Sequence, residues 1–347
     1  MYVFSGTDPE YHDNLRYFIR EGMQEDDGCD YYIVLQRGEG LIEIGELPLL
    51  PTNAQTINHP NECFDLGTVG WLLDDQIVDV SKYKFFIWLN SSVRGPFLPA
   101  YMKGVMHWTQ AFTNKLTDVV KLVGATINCG GAYEMPATPH VQTYVVATDR
   151  TGLMVLRNKR TVLNCWSNIG ETVMHSELGA SKAIIEAGYN LDCLMLRYQG
   201  LDWRDSRASA CNANFNPVQQ SFYDGINVDP LEVLFIKVKD SMKAAGWGHV
   251  AQAVKYDEWE QQQRQNPPPS AEARYAEVAT NEWTQLAPRR IAEANRHGSA
   301  CFDHEFYVSA NRFDLGWIMM QPDPPNVAWG HFINSGILEG RPHRFTC

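Results

Sequence analysis

The chain has 347 residues, 44% of them apolar and 20% charged, with a formal net charge of −12. At ~150 residues per domain the length predicts about two domains, and the composition excludes a disordered chain, a coiled coil and collagen. A net negative field repels nucleic acid and anionic lipid, which leaves a small phosphate ligand in one local pocket as the admissible anion.

No apolar run approaches the ~18–20 residues of a membrane span. The opening MYVFSGTDPEYHDNLRYF has no basic n-region and no long apolar h-region, so it does not read as a signal peptide. The expectation is a soluble chain, either cytoplasmic or cut from a longer anchored protein of the Golgi lumen. The 15 Phe, 15 Tyr and 10 Trp serve a core first, but such rings also stack on pyranose faces. The eight cysteines, Cys29, Cys63, Cys129, Cys165, Cys193, Cys211, Cys301 and Cys347, contain no CxxC. A zinc ribbon is disfavoured. Buried free thiols are the expectation, with disulfides in an oxidising lumen as the alternative.

In chain order, YVFSG (2–6) reads as a strand and residues 9–22 as a helix with Leu15, Phe18 and Ile19 on one face. YYIVLQ (31–36), KFFIWLN (84–90), VKLVGATIN (120–128) and VQTYVVAT (141–148) read as further strands. Strands alternating with helices predict βαβ units and a largely parallel sheet covered on both faces. Ligands of such sheets bind beyond the carboxyl ends of the strands. EWEQQQRQNPPPSAEA (258–273), with four Gln, three consecutive Pro and no apolar periodicity, reads as a polar linker. Aromatics return after it. The organisation expected is an α/β domain over 1–250, a partly helical connector over 251–297 and a small helical module over 298–347.

Several polar segments follow apolar runs. In FFIWLNSSVRGPFLP (85–99) the strand ends in Asn90-Ser91-Ser92, with Arg94 just beyond. A structural turn explains this spacing equally well. Asn90-Ser91-Ser92 is also a glycosylation sequon, placed where a core strand would occlude it. In NECFDLGTVGWLL (61–73), Asn61 and Asp65 contact a ligand or cap the following helix. In HVQTYVVATDRTGLMVL (140–156), His140 and Gln142 share a face by strand alternation. SELGASKAIIEAGY (176–189) is an amphipathic helix that opens at Ser176-Glu177, a pattern a capping box also produces. GxxxxGK[ST], GxGxxG, HExxH and GxSxG are all missing, so P-loop kinases, dinucleotide oxidoreductases, zincins and serine hydrolases lack their signatures.

The four segments, taken in chain order (61–73, 85–99, 140–156, 176–189), resemble the rhamnan synthesis protein F family and its relatives among polysaccharide glycosyltransferases. The likeness spans about residues 2–239. It implies a GT-A-like, Rossmann-like fold and transfer of a hexose or deoxyhexose from a nucleoside diphosphate sugar to a glycan hydroxyl, with inversion. It also implies Mn²⁺ or Mg²⁺ at a DxD-like strand end. Here that position carries Asn90, Ser91 and Ser92, so the metal is in question and Arg94 is the candidate to offset diphosphate charge. The resemblance further implies a nucleotide contact near Asn61 and Asp65, and acceptor contacts from His140 and Gln142. Glu177 is the implied catalytic base, with Asp149 and Glu171 as rivals; Asp149-Arg150 also reads as an ion-paired turn. Tyr198, Trp203, Phe222 and Tyr223 are candidate acceptor platforms, although core packing serves each as well. In the C-terminal module His331, Glu339 and Arg341 take structural or interaction roles, with Gly336 and Gly340 as helix caps. The alternative to an enzyme is a glycan- or nucleotide-binding protein on the same scaffold. A third reading is an assembly protein that recruits partners through its C-terminal module.

Overall fold

The computed structural model of the protein describes residues 1–130, 138–266 and 282–347. Its strands are β1 (Tyr2–Phe4), β2 (Tyr31–Arg37), β3 (Ala54–Pro60), β4 (Phe85–Asn90), β5 (Val93–Arg94), β6 (Val120–Gly124), β7 (Ile127–Asn128), β8 (His140–Val141), β9 (Val145–Asp149), β10 (Asn190–Cys193) and β11 (Ile236–Lys237). Seven of them form one sheet in the order β10-β6-β9-β4-β1-β2-β3. Neighbours run parallel except at β9, which is antiparallel to both β4 and β6. The expected α/β, Rossmann-like architecture is present, with one strand reversed inside it.

Every residue of β1 is buried. Tyr2 and Phe4 pack on α1 (Glu10–Gly22) through Phe18 and His12, with ring centroids 5.2 Å apart in both pairs. Alternation sends Val3 to the opposite face. On that side α2 (Phe64–Asp74) lies against β1 and β4. Such two-sided cover is what a continuous apolar strand needs.

Three elements differ from expectation. β3, AQTINHP, is a polar edge strand held to β2 by a seven-residue parallel register. Its side chains carry no apolar alternation to betray it. The run 120–128 divides into β6 and β7, and 141–148 into β8 and β9. At that division a Cβ on Gly124 would sit 2.4 Å from Val141 Cγ1, so only glycine lets β8 cross there. The expected linker from 258 is helical as far as the Gly248–Gln265 helix extends. Glu, Gln and Arg are good helix formers, and polarity alone does not break a helix. The three prolines at 267–269 lie outside the described residues.

The expectation of free thiols is overturned for six of the eight cysteines. Cys63–Cys165, Cys129–Cys211 and Cys301–Cys347 are disulfides. Cys29 and Cys193 are free.

The chain divides into compact units of Met1–Gln261 and Gln262–Cys347. The second unit has its own core of Phe302, Tyr307, Leu315, Ile318 and Phe332, closed by Cys301–Cys347. His331 Nδ1 lies 2.9 Å from the Tyr307 hydroxyl, and Arg341 pairs with Asp314 at 2.6 Å and with Glu339. A Cβ on Gly336 would meet the Tyr307 hydroxyl at 2.1 Å, so this glycine serves close packing.

Candidate active-site cleft

A cleft of about 670 Å³ opens beyond the carboxyl ends of β1, β2 and β4. Its walls include Ser5 after β1, Gln36 near the end of β2, Asn90–Ser92 after β4, and Thr143 and Tyr144 just before β9. The reversal of β9 is what brings its first end to this side. Asn61, Asp65, Asn90, Ser91, Ser92 and Glu177 all line the cleft, from three separate stretches of chain. The volume lies in the range of small-molecule sites, ~300–1,000 Å³.

The floor is a short polar relay. Asn90 Nδ2 donates to Asp65 Oδ2 at 2.9 Å, and Asn90 Oδ1 accepts from the Ser92 hydroxyl at 2.6 Å and from the Ser92 N–H at 3.1 Å. Asp65 sits in the first turn of α2 rather than at its cap, a position taken by Cys63 with φ 68° and no side-chain capping bond. Asp65 therefore faces the relay with one oxygen while the other accepts the Leu66 N–H at 2.9 Å. Asn61 is exposed at the rim.

Glu177 faces this floor from a helical stretch that starts at Ile169. Asn168 caps that start by accepting the Glu171 N–H at 2.9 Å, while its amide donates to the Glu171 carboxylate at 2.5 Å. Asn168 thus caps this start and holds the Glu171 carboxylate with its amide, so Glu171 is occupied structurally. Glu177 ends a π-helical turn, Thr172–Glu177, before α-helix resumes at Leu178. It is therefore not a first-turn residue, and the helix does not open at Ser176-Glu177 as the sequence suggests. Such a π turn re-aims side chains and recurs at functional sites. The Glu177 side chain keeps 23% exposure, and its carboxylate lies 3.8 Å from Nε2 of the buried His140. Burial raises its pKa above the ordinary carboxylate value; His140, Lys237 and the Thr143 N–H oppose this, and Asp65 adds to it.

Other candidate residues are placed elsewhere. Arg94 is 3% exposed and spans Glu10 Oε2 at 3.1 Å, Asp257 Oδ2 at 3.4 Å and Asn14 Oδ1 at 3.0 Å. It does not reach the cleft, which corrects its assignment to diphosphate. Through Asn14 it has a different use: Asn14 Nδ2 donates to the carbonyls of Ser91 at 2.9 Å and Val238 at 3.0 Å, locking two cleft segments together. Asp149 closes β9 at the far end of the sheet. It caps the Arg150–Asn158 helix by accepting Gly152 N–H at 2.8 Å and pairs with Lys121 at 2.6 Å. That occupancy removes it as a base. His140 and Gln142 are 1% and 3% exposed and do not line the cleft. His140 stands behind Glu177, and Gln142 Oε1 accepts from Thr126 at 2.8 Å, so neither offers itself to an acceptor. Tyr198, Trp203 and Tyr223 are core, and half-exposed Phe222 lies outside the cleft lining.

Three cleft residues escaped the sequence reading. Trp166 is half-buried at the rim, stacked on His175 with centroids 4.7 Å apart, with its Nε1–H donated to Thr161 O at 3.1 Å. Lys237, which ends the last strand of the unit, and Lys239, in the extended backbone just after it, line the cleft. Their alternation with the buried Ile236 and Val238 was the available signal.

Mn²⁺ or Mg²⁺ calls for a set of anionic or free neutral oxygens. At the strand end the ligands on offer are an amide and two hydroxyls; Asn90 and Ser92 are bonded to each other, and Asp65 is the one carboxylate in the relay. This donor set does not fit a hard dication. Among the described residues one other group could offer three metal-type ligands, Asp27, Cys29 and His107, within 4.8 Å of one another. It lies at the opposite end of the sheet, where Asp27 and Cys29 border a separate cavity of about 320 Å³.

Comparison of the chain with models of known protein families and with curated proteins gave no match. Among the described residues no helix is long and apolar enough to cross a membrane.

Proposed function

We propose that the Met1–Gln261 unit is a GT-A-like glycosyltransferase that moves a hexose or deoxyhexose from a nucleoside diphosphate sugar to a glycan hydroxyl. One observation carries the reading. A partly exposed carboxylate of raised pKa, Glu177, faces a polar floor of Asp65, Asn90 and Ser92 across a cleft large enough for a nucleotide sugar. A carboxylate whose pKa is raised above its ordinary value is a stronger base once ionised, which suits a general base.

In this reading Asp65 accepts a ribose hydroxyl, and the diphosphate lies along Asn90–Ser92. Glu177 takes the proton of the acceptor hydroxyl as its oxygen attacks the anomeric carbon. The bond from that carbon to the phosphate oxygen breaks, and its electron pair leaves with the nucleoside diphosphate. Attack from the face opposite the leaving group inverts the anomeric configuration. His140, with Nε2 3.8 Å from the carboxylate, stands behind it and limits its movement. Trp166, on the rim, supplies a ring face for the acceptor pyranose. The three disulfides suit an oxidising compartment, which favours a lumenal over a cytoplasmic site of action.

The strand end without a carboxylate pair supports a second reading, a glycan- or nucleotide-binding protein without turnover. A panel of nucleotide sugars tested by thermal shift checks what both share, since a bound donor stabilises by RT ln(1 + [L]/Kd). Stabilisation by at least one donor supports the site. Indifference to the whole panel sinks it.

A further inference from the structure

The residues at the strand end do not fit a divalent cation, yet a departing nucleoside diphosphate needs positive charge beside it. We propose that Lys237 and Lys239 supply that charge, so that the cleft binds the donor's diphosphate without a metal. This rests on the glycosyltransferase reading above and specifies how its donor is held.

Both lysines line the cleft. They stand two residues apart around Val238, which is fully buried, so their side chains share the face turned to the cleft. β11 pairs antiparallel with β5, placing Lys237 opposite Val93, and the Val238 N–H donates to Ser92 O at 2.8 Å. The lysines are therefore fixed alongside the end of β4, where the diphosphate is proposed to lie. Asn14 holds the same two segments together through the Ser91 and Val238 carbonyls. The bases of both ammonium groups are thus set by the backbone.

Neither lysine forms an ion pair among the described residues. Other cations in this acidic unit are committed: Arg94 to Glu10 and Asp257, Lys121 to Asp149, Lys115 to Asp192, Lys243 to Glu10. The Lys237 ammonium lies 5.6 Å from the centroid of the Tyr144 ring, whose edge borders the cleft. Burial and the charge of Lys237 lower the Lys239 pKa, with Asp8 opposing. Two like charges held close together, half-buried and with no ion pair among the described residues are a site for an anion, with Glu177 near Lys237 and Asp8 near Lys239 as the carboxylates that act on them from farther away. A nucleoside diphosphate carries the charge to satisfy both.

The test is calorimetric binding of UDP, GDP and dTDP, and of inorganic pyrophosphate, in excess EDTA and in excess MnCl₂. At least one of the four should bind in EDTA, with an affinity that Mn²⁺ leaves nearly unchanged. Lys237→Met and Lys239→Met, which keep the apolar stem, should each weaken it about tenfold or more, the loss of a charge-assisted hydrogen bond. Lys→Arg at either position should restore most of it. Thermal unfolding of each variant reports whether the fold is kept. Binding that requires Mn²⁺ and ignores both lysines overturns this inference and leaves the glycosyltransferase reading standing. Binding in neither condition overturns both.

Discussion

The Cys63–Cys165 disulfide joins the start of α2 to the Leu163–Trp166 segment at the cleft rim, and both cysteines border the cleft. Replacing both by serine tests how much order it supplies. The cysteines are 102 residues apart. The Cys129–Cys211 link overlaps this loop without offering a shorter path across it. Chain-entropy reasoning gives ~4.7 kcal/mol for closing a loop of about 100 residues, and measured losses run ~2–5 kcal/mol. For a unit of this size each kcal/mol moves Tm by ~2–4 °C, so the transition of Met1–Gln261 should fall by roughly 5–15 °C. Scanning calorimetry under non-reducing conditions reads this directly. The same variant should bind nucleotide more weakly, because Trp166 and Ile169 lose the anchor beside them. A Tm within about a degree of wild type would refute the claim that this crosslink holds the cleft wall.

Three further outcomes follow from the packing and charge. Arg94→Ala takes from the buried carboxylates of Glu10 and Asp257 one of two cations each, leaving Lys243 and Arg20, and should cost ~1.5–3 kcal/mol in urea unfolding, the range for hydrogen bonds to charged groups. A change near zero would mean that Lys243 and Arg20 alone satisfy them. In Gly70→Ala the new Cβ would lie 2.1 Å from Leu163 O, so the 163–166 segment must move. A loss of ~1–3 kcal/mol is expected, read as a lower Tm with weaker donor binding. Glu177→Gln should stabilise the fold at neutral pH. The folded pKa of Glu177 is raised, so the stability this group contributes is present below its unfolded pKa and lost as pH rises through the folded value. The Tm advantage of Gln should therefore shrink towards zero on acidification; a pH-independent difference would contradict the burial argument.

What was legible in the sequence is the part carried by local pattern. The apolar runs at 31–36 and 84–90 locate β2 and β4 to within a residue or so, because buried parallel strands read as unbroken apolar stretches. The polar residues just past β4 line the cleft for the same reason. What failed depends on contacts between distant segments. Arg94 has the right chemistry for a phosphate, but Glu10 and Asp257, 84 and 163 positions away, claim it first. Asp149 was read as a possible base because carboxylates look alike in sequence; the reversal of β9 carries it to the end of the sheet away from the cleft. The disulfides leave no trace in spacing because each closes a long loop. Lys237 and Lys239 were passed over although their alternation with buried Ile236 and Val238 was visible.

The central claim is that Glu177 deprotonates an acceptor hydroxyl across the cleft. Its most direct test is sugar transfer from a donor that binds to a glycan acceptor, wild type against Glu177→Gln, with nucleotide affinity measured on both. The account predicts a ~10²–10⁴-fold loss of kcat in the variant with nucleotide affinity nearly unchanged. Transfer at the wild-type rate by Glu177→Gln, or no transfer by a wild-type protein that binds the donor, would contradict it.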